Sequence, residues 1–325
     1  LDDRSVLRLT GEDRVAFLQG MVSNDHALAG AGRAIHAALL TPQGRWLHDF
    51  TVFSTGDALL LDAEAARIDD LLQRLRRYRL RARVGLEPAG QDWQVLALFG
   101  PGAAALAGLP PAGWQGEIEG ACTDWGGGMA AVDPRLAALG LRALLPAKAA
   151  LPAALAALPA ARPEEYERWR LSLGVPAASR DLVPERTLAL EANFDRLKTI
   201  SWTKGCYVGQ EVTARSRHRD TIRQRLIPLR VDGPLPPPET PILHQGEEVG
   251  SIRSGVEGLA LALLRTGLLA APGLPALCAG SARLAPFQES PSPGAPKPGA
   301  QGPEVAASTV EAEAATTGAA ARADR

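Results

Sequence analysis

The chain has 325 residues, a hydrophobic fraction of 46% and a formal net charge of −1. This length exceeds one ordinary core, so two or three domains are expected, and the near-zero charge excludes a protein whose whole surface grips nucleic acid. Three cysteines (Cys122, Cys206, Cys278) lie far apart with no CxxC pair, which excludes a ready-made zinc or four-cysteine cluster site and fits a reducing compartment.

The N-terminal Leu1-Asp2-Asp3-Arg4 has no apolar h-region of a signal peptide, and no run of eighteen apolar residues follows. No membrane span is therefore expected, and the cytoplasm is the expected compartment. Val6 to Thr10 alternates like a strand, and Thr10 and Asp13 bracket a helix start with Val15, Leu18 and Val22 on one face. Ile35–Leu40 and Trp46–Phe53 read as strands joined by the turn Thr41-Pro42-Gln43-Gly44. A third strand at Leu59–Leu61 leads into a helix with Ile68, Leu71, Leu72 and Leu75 at i, i+3, i+4, i+7. That helix ends in a basic run from Arg74 to Arg83, read as a solvated face because only Tyr78 offers a base-stacking surface.

A second α+β portion begins at the apolar strand Trp93–Phe99, with further strands near Glu117–Trp125, Met129–Val132 and Leu141–Leu145. An alanine- and leucine-rich helix is predicted over Ala147–Leu158, and another opens at Pro163-Glu164-Glu165 and ends at Gly174. On the latter, Tyr166, Trp169 and Leu173 share a face. From Arg225 short β-rich runs separated by glycine and proline predict a small antiparallel barrel or sandwich. After Phe287 the chain is too poor in large apolar residues to offset ordering entropy. The predicted divisions are 1–90, 91–224, 225–287 and a disordered tail, 288–325.

One run is not explained by packing: Lys204-Gly205-Cys206-Tyr207-Val208-Gly209-Gln210-Glu211. Two glycines bracket a cysteine, a lysine stands beside it, and a helix begins beyond with Glu211 in its first turn and Arg215, Arg217 and Arg219 toward its end. A nearby cation and a helix N-terminus both stabilise a thiolate, so Cys206 is expected to be the reactive residue, with Lys204 tuning it. Gly205 and Gly209 give the loop conformational freedom. The competing reading is that Cys206 is a small buried hydrophobe.

This run resembles the signature of the YgfZ family, folate-binding proteins of iron–sulfur cluster assembly that are distant relatives of the glycine-cleavage T-protein. Leu9-Thr10-Gly11-Glu12-Asp13-Arg14, Leu40-Thr41-Pro42-Gln43-Gly44-Arg45, Asp133-Pro134-Arg135 and Leu190-Glu191-Ala192-Asn193 agree in order, so the resemblance covers roughly residues 4–285. It implies an α+β fold of the aminomethyltransferase type: a ring of two α+β subdomains and an antiparallel β-barrel around a channel that binds tetrahydrofolate. It also implies work on [4Fe–4S] clusters of client enzymes, among them radical enzymes that thiomethylate tRNA. Cys206 would then be a transient cluster ligand or a nucleophile at the mouth of a pterin-sized cavity.

Folate contacts implied by the resemblance are Tyr166 as an aromatic wall and His48 and Asp49 on the hairpin strand; Arg215, read from the Arg215–Arg219 charge cluster itself, is either a contact for a phosphate or a folate glutamate carboxylate or part of a solvated helix end. Partners would be iron–sulfur client enzymes or cluster carriers, with no permanently bound metal and little direct tRNA binding. Two positions depart from the T-protein: His48 stands where its catalytic aspartate falls, and Ser172 where it has a pterin-binding glutamate. A hydroxyl does not copy a carboxylate's two acceptors, so the alternative, a folate-dependent aminomethyltransferase, is the weaker expectation.

Overall fold

The computed structural model describes residues 1–30, 32–110, 117–156, 158–219, 222–268 and 276–287. The tail predicted for 288–325 lies outside the described residues. The first sheet holds β1 (Arg4–Thr10), β2 (Ile35–Leu40), β3 (Trp46–Ser54), β4 (Leu59–Glu64) and β5 (Gly85–Pro88), antiparallel in the order β2-β3-β4-β1-β5. Strands β2 and β3 are almost wholly buried on both faces, which is why they read as continuous apolar runs rather than as alternation.

One face of this sheet is covered by α1 (Arg14–Met21) and α2 (Ile68–Arg79), with Leu71, Leu72 and Leu75 joining Leu7, Leu9, Phe50 and Val52 in one core. The predicted α1 face is partly corrected: Val15 stands 44% exposed, and Met21 joins Leu18 and Val22 against the sheet instead.

The second sheet contains β6 (Trp93–Leu98), β7 (Cys122–Trp125), β8 (Gly128–Val132) and β9 (Leu141–Pro146), in the order β6-β9-β8-β7. The helix predicted over Ala147–Leu158 is cut to the single turn α3 (Ala153–Ala156). Pro152 has no N–H to donate and favours a first-turn position, so a helix starts after it rather than running through it.

Helix α4 (Pro163–Ser172) opens with the Glu165 carboxylate accepting from the Arg162 backbone N–H, and stops at Gly174, whose φ is +67°. After α5 (Ala178–Asp181), a long irregular stretch reaches α6 (Gln210–His218).

The barrel closes through β10 (Gln224–Asp232), β11 (Pro241–His244), β12 (Glu247–Val256), β13 (Leu259–Arg265), β14 (Leu277–Ala279) and β15 (Ala282–Pro286). Pairing of β15 back onto β10 removes the open edge. A core of Trp46, Leu171, Phe194, Leu226 and Leu261 ties the first sheet, α4 and the barrel together. The aminomethyltransferase-like arrangement expected from the sequence, two α+β portions and a terminal antiparallel barrel, is the fold the chain adopts.

Candidate functional site

Cys206 is exposed on the loop that precedes α6, so the buried-hydrophobe reading fails. The loop is held from below by Lys204, which is only 7% exposed. Its Nζ donates to the carbonyls of Gln19 at 2.6 Å, Val22 at 2.6 Å and Asn24 at 2.9 Å, all at the end of α1. The tuning role expected of Lys204 is therefore corrected: its three N–H groups are committed to backbone oxygens, and it anchors the loop. Burial lowers its ammonium to about 8, with the Asp25 charge opposing the shift, so the group stays protonated at neutral pH.

Tyr207 packs into the core beside it, its ring 5.1 Å from Lys204 Nζ. Gly209 caps α6 at φ +88°, and a Cβ there would lie 2.5 Å from the Thr41 carbonyl, so the β2–β3 turn and the motif meet at a point that admits only glycine. Gly205 faces open space, and nothing in the fold demands glycine at that position. Gln210 and the exposed Glu211 form the first turn of α6, the acid favourably placed at the positive end of the helix. Arg215 is exposed further along the same helix, and Arg217 covers the Trp202 ring at 4.1 Å.

A cavity of about 500 Å³ lies between the two sheets and α4. Tyr166 and Phe99 stand on its wall, ring centroids 5.5 Å apart at a tilt. Asp49 faces it from β3, its Oδ1 accepting from Trp46 Nε1 at 2.9 Å and its Oδ2 lying 3.2 Å from His36 Nε2. Burial opposes ionisation of Asp49, but the His36 bond and the charges of His36, Arg4 and Arg135 override it and bring the group to about 2.

Arg4 and Arg142 share Asp62, at 2.7 Å and 2.8 Å, and Arg135 forks onto Asp133 at 3.0 Å and 2.8 Å. Burial would lower Arg135, but Asp133, with Tyr166 and Asp49 adding to it, raises it on balance. Arg142 Nη1 is buried without a hydrogen-bond partner. Among the described residues no group of His, Cys, Asp or Glu is arranged to hold a metal.

Several expected contacts fall elsewhere. His48 points to the opposite face of β3 from Asp49, as neighbours on a strand must. Its Nε2 lies 2.8 Å from Asp70 on α2, and burial with the nearby Arg67 lowers it to about 4. Of these two adjacent residues only Asp49 lines the cavity, and His48 takes no part. Ser172 donates to the Trp169 carbonyl at 2.7 Å, while Glu167 faces the cavity with its oxygens engaged by Arg170 and Arg180. Arg215 does not line the cavity, and neither does any residue from 204 to 211, so the sulfur is not at the cavity mouth.

What joins the two places is a buried polar chain that sequence reasoning missed. His36 Nδ1 lies 2.9 Å from Thr199 Oγ1, the Thr199 carbonyl accepts from Ser23 at 2.7 Å, and Asn24 donates to the His36 carbonyl at 2.7 Å and to the Lys198 carbonyl at 2.8 Å. The Asn24 carbonyl in turn receives Lys204. The available signal was a polar residue inside an apolar strand run: His36 in Ile35–Leu40, Asp62 in Leu59–Glu64 and Arg142 in Leu141–Pro146.

Comparison with known proteins agrees with this architecture. Residues 4–109 match the GCVT N-terminal domain family and residues 223–293 the CAF17 C-terminal beta-barrel domain family. The glycine cleavage system aminomethyltransferase T from Bartonella henselae superposes with a TM-score of 0.69 over 88% of this chain and 83% of that one, at 18% identity, a likeness of fold.

Among sequence relatives, the human protein named iron-sulfur cluster assembly factor IBA57, mitochondrial, is 35% identical over 81% of this chain and 76% of its own length. The mouse protein of the same name is 31% identical over 84% and 78%, and the Pyricularia oryzae homolog 30% over 85% and 74%. These relatives are mitochondrial by name, which overturns the cytoplasmic expectation. They name IBA57 and not the YgfZ family of the resemblance, so the chain belongs to the IBA57 family.

Proposed function

We propose that this protein is an accessory factor of iron–sulfur cluster assembly that works through the Cys206 thiol. The observation that carries the reading is an exposed cysteine on a loop fixed on both sides, by Lys204 on three carbonyls, Tyr207 in the core and Gly209 against the hairpin. A single accessible sulfur of this kind suits a transient ligand to a cluster shared with a partner, because four-cysteine ligation within the chain is not available. The clients are enzymes with [4Fe–4S] clusters, including those that thiomethylate tRNA, reached directly or through a cluster carrier.

The cavity fits a folate in size and lining. Its volume suits a drug-sized ligand. Tyr166 and Phe99 supply a stacking wall, Asp49 an ionised acceptor for the pterin edge, and the arginine cluster a counter-charge for the glutamate carboxylates. Tetrahydrofolate, when bound, supplies a reduced one-carbon-carrying pterin; the chain's own groups bind, orient and exclude water. Aminomethyl transfer is the second reading, and Asp49 in the cavity is what favours it. Against it stand His48 and Ser172, at the positions where the T-protein carries its catalytic aspartate and its pterin-binding glutamate.

The test is Cys206→Ser in cells lacking the native factor, followed by the activity of a [4Fe–4S] enzyme. Because the side chain is exposed, the variant should fold as the parent does and fail to restore activity. Full restoration would end the assignment. Titration of tetrahydrofolate against the parent and Tyr166→Ala tests the cavity separately, with weaker binding expected for the variant and equal binding counting against it.

A further inference from the structure

A second feature lies beside the cysteine loop. A groove of about 220 Å³ runs between the motif, the β2–β3 turn and the end of α2, with Met21, Leu40, Pro42 and Val208 in its floor and Arg77 and Tyr78 on its rim. Val208 is two residues from Cys206, so a chain seated here comes within reach of the sulfur. The rim at Arg77 and Tyr78, together with Leu80 and Arg81 just beyond it in the chain, is unusual in three respects. Tyr78 is 51% and Leu80 87% exposed, two large apolar side chains two residues apart at the end of α2. Leu80 ends α2 at φ +44°, ψ −111°, a backbone region that a residue other than glycine adopts only at a cost.

The neighbouring arginines also sort into two kinds. Arg74 is paired with Asp70 and Glu185, Arg83 with Glu12 and Asp13, and Arg76 and Arg79 donate to the Leu86 and Val84 carbonyls. Arg77 and Arg81, flanking Tyr78 and Leu80, have no acidic partner among the described residues.

We propose that this groove is the docking surface for the protein that shares Cys206, and that the docking segment is acidic with one apolar side chain. The apolar residue fills the floor against Val208 and Pro42, and its flanking carboxylates pair with Arg77 and Arg81. Charge complementarity selects the partner, since a chain of net charge −1 that leaves two arginines unpaired around an exposed leucine offers a local positive patch against a neutral background. The Tyr78–Leu80 pair is the anchor, as partly exposed aromatic and aliphatic groups at a polar rim commonly are. The inference rests on Cys206 as the working thiol, but its test needs no cluster, so failed docking and failed complementation are separate results.

The probe is a synthetic hexapeptide with three carboxylates, one leucine and a C-terminal cysteine, activated as its mixed disulfide with thionitrobenzoate. A twin carries lysines in place of the acids. In the full-length protein with Cys278→Ser, the Cys206 thiol loses its proton to solvent and attacks the peptide sulfur. A new S–S bond forms, the old one breaks, and thionitrobenzoate leaves as a coloured thiolate with the electron pair. Mass spectrometry confirms attachment at Cys206.

The acidic probe should react about tenfold faster than the basic twin at low salt. The double variant R77E/R81E should invert that preference, and Leu80→Ser should slow the acidic probe several-fold while leaving the basic one unchanged. Equal rates for both peptides, or an acidic preference that survives R77E/R81E, would overturn the proposal. Displacement of the acidic probe by tRNA with a steep salt dependence would assign the face to nucleic acid instead, and self-association abolished by Leu80→Ser would assign it to a second copy; either result overturns the acidic partner.

Discussion

Replacing Lys204 by methionine separates two roles that the sequence alone left merged. Methionine keeps the length and apolar stem of the side chain but removes the ammonium from the carbonyls of Gln19, Val22 and Asn24. Hydrogen bonds from a charged donor contribute roughly 1.5–3 kcal/mol each. Opposing them is the burial cost of the charge, about 3 kcal/mol for an ammonium brought from 10.5 to about 8. The net expected loss is therefore about 1.5–6 kcal/mol, increased by three oxygens left without a donor. Urea unfolding followed by tryptophan fluorescence measures it, and alkylation of native Cys206 by iodoacetamide reports on the loop. Lower stability with faster alkylation is expected, because the loop loses its anchor while the sulfur stays exposed. Unchanged stability with alkylation slowed tenfold would refute the geometry, since it would place the ammonium's action on the sulfur.

Two buried histidines predict an acid-sensitive window. His26 and His48 are both lowered from 6.5 to about 4, chiefly by burial, with Lys204 adding to the effect at His26 and Arg67 at His48. The unfolded chain binds these protons first, so the stability present above pH 6.5 falls as pH drops from 6.5 to 4, by up to about 3 kcal/mol for each histidine. Urea midpoints measured across that range check the sign, and His26→Phe should flatten the profile; a profile flat in the parent would contradict it. Gly209→Ala should cost ~2–3 kcal/mol through its φ of +88° and the 2.5 Å approach to the Thr41 carbonyl. The same unfolding assay reads that loss, and a neutral result would mean the hairpin and motif are not in contact.

Periodicity located the elements well where one physical signal dominated. The heptad-like spacing of Ile68, Leu71, Leu72 and Leu75 gave α2, and the glycine- and proline-punctuated runs after Arg225 gave the barrel. It misjudged Ala147–Leu158 because composition favoured helix while Pro152 forbade one through that point. The site divided in the same way. Cys206 was legible because small residues and a helix start around it are local features. The partner of Lys204 was not, since the carbonyls it reaches are about 180 residues earlier in the chain. His48 and Asp49 were both named, and only the strand's alternation in three dimensions decides which of two adjacent residues faces the cavity.

The geometry also changes what the cavity and the cysteine can be to each other. A ligand in the cavity does not touch the sulfur, since no residue from 204 to 211 lines that space. Any influence must pass through groups that meet both, and His36, Thr199, Ser23 and Asn24 form such a path, with Asp49 at one end and Lys204 at the other. Every link in it is a buried hydrogen bond whose loss leaves a polar group unpaired, so the chain resists partial rearrangement. A folate that drew Asp49 away from His36 would free one histidine nitrogen in a buried setting and disturb the Thr199–Asn24 anchorage on which the Lys204 loop depends. The cavity and the thiol are thus joined by position-holding bonds rather than by a shared lining.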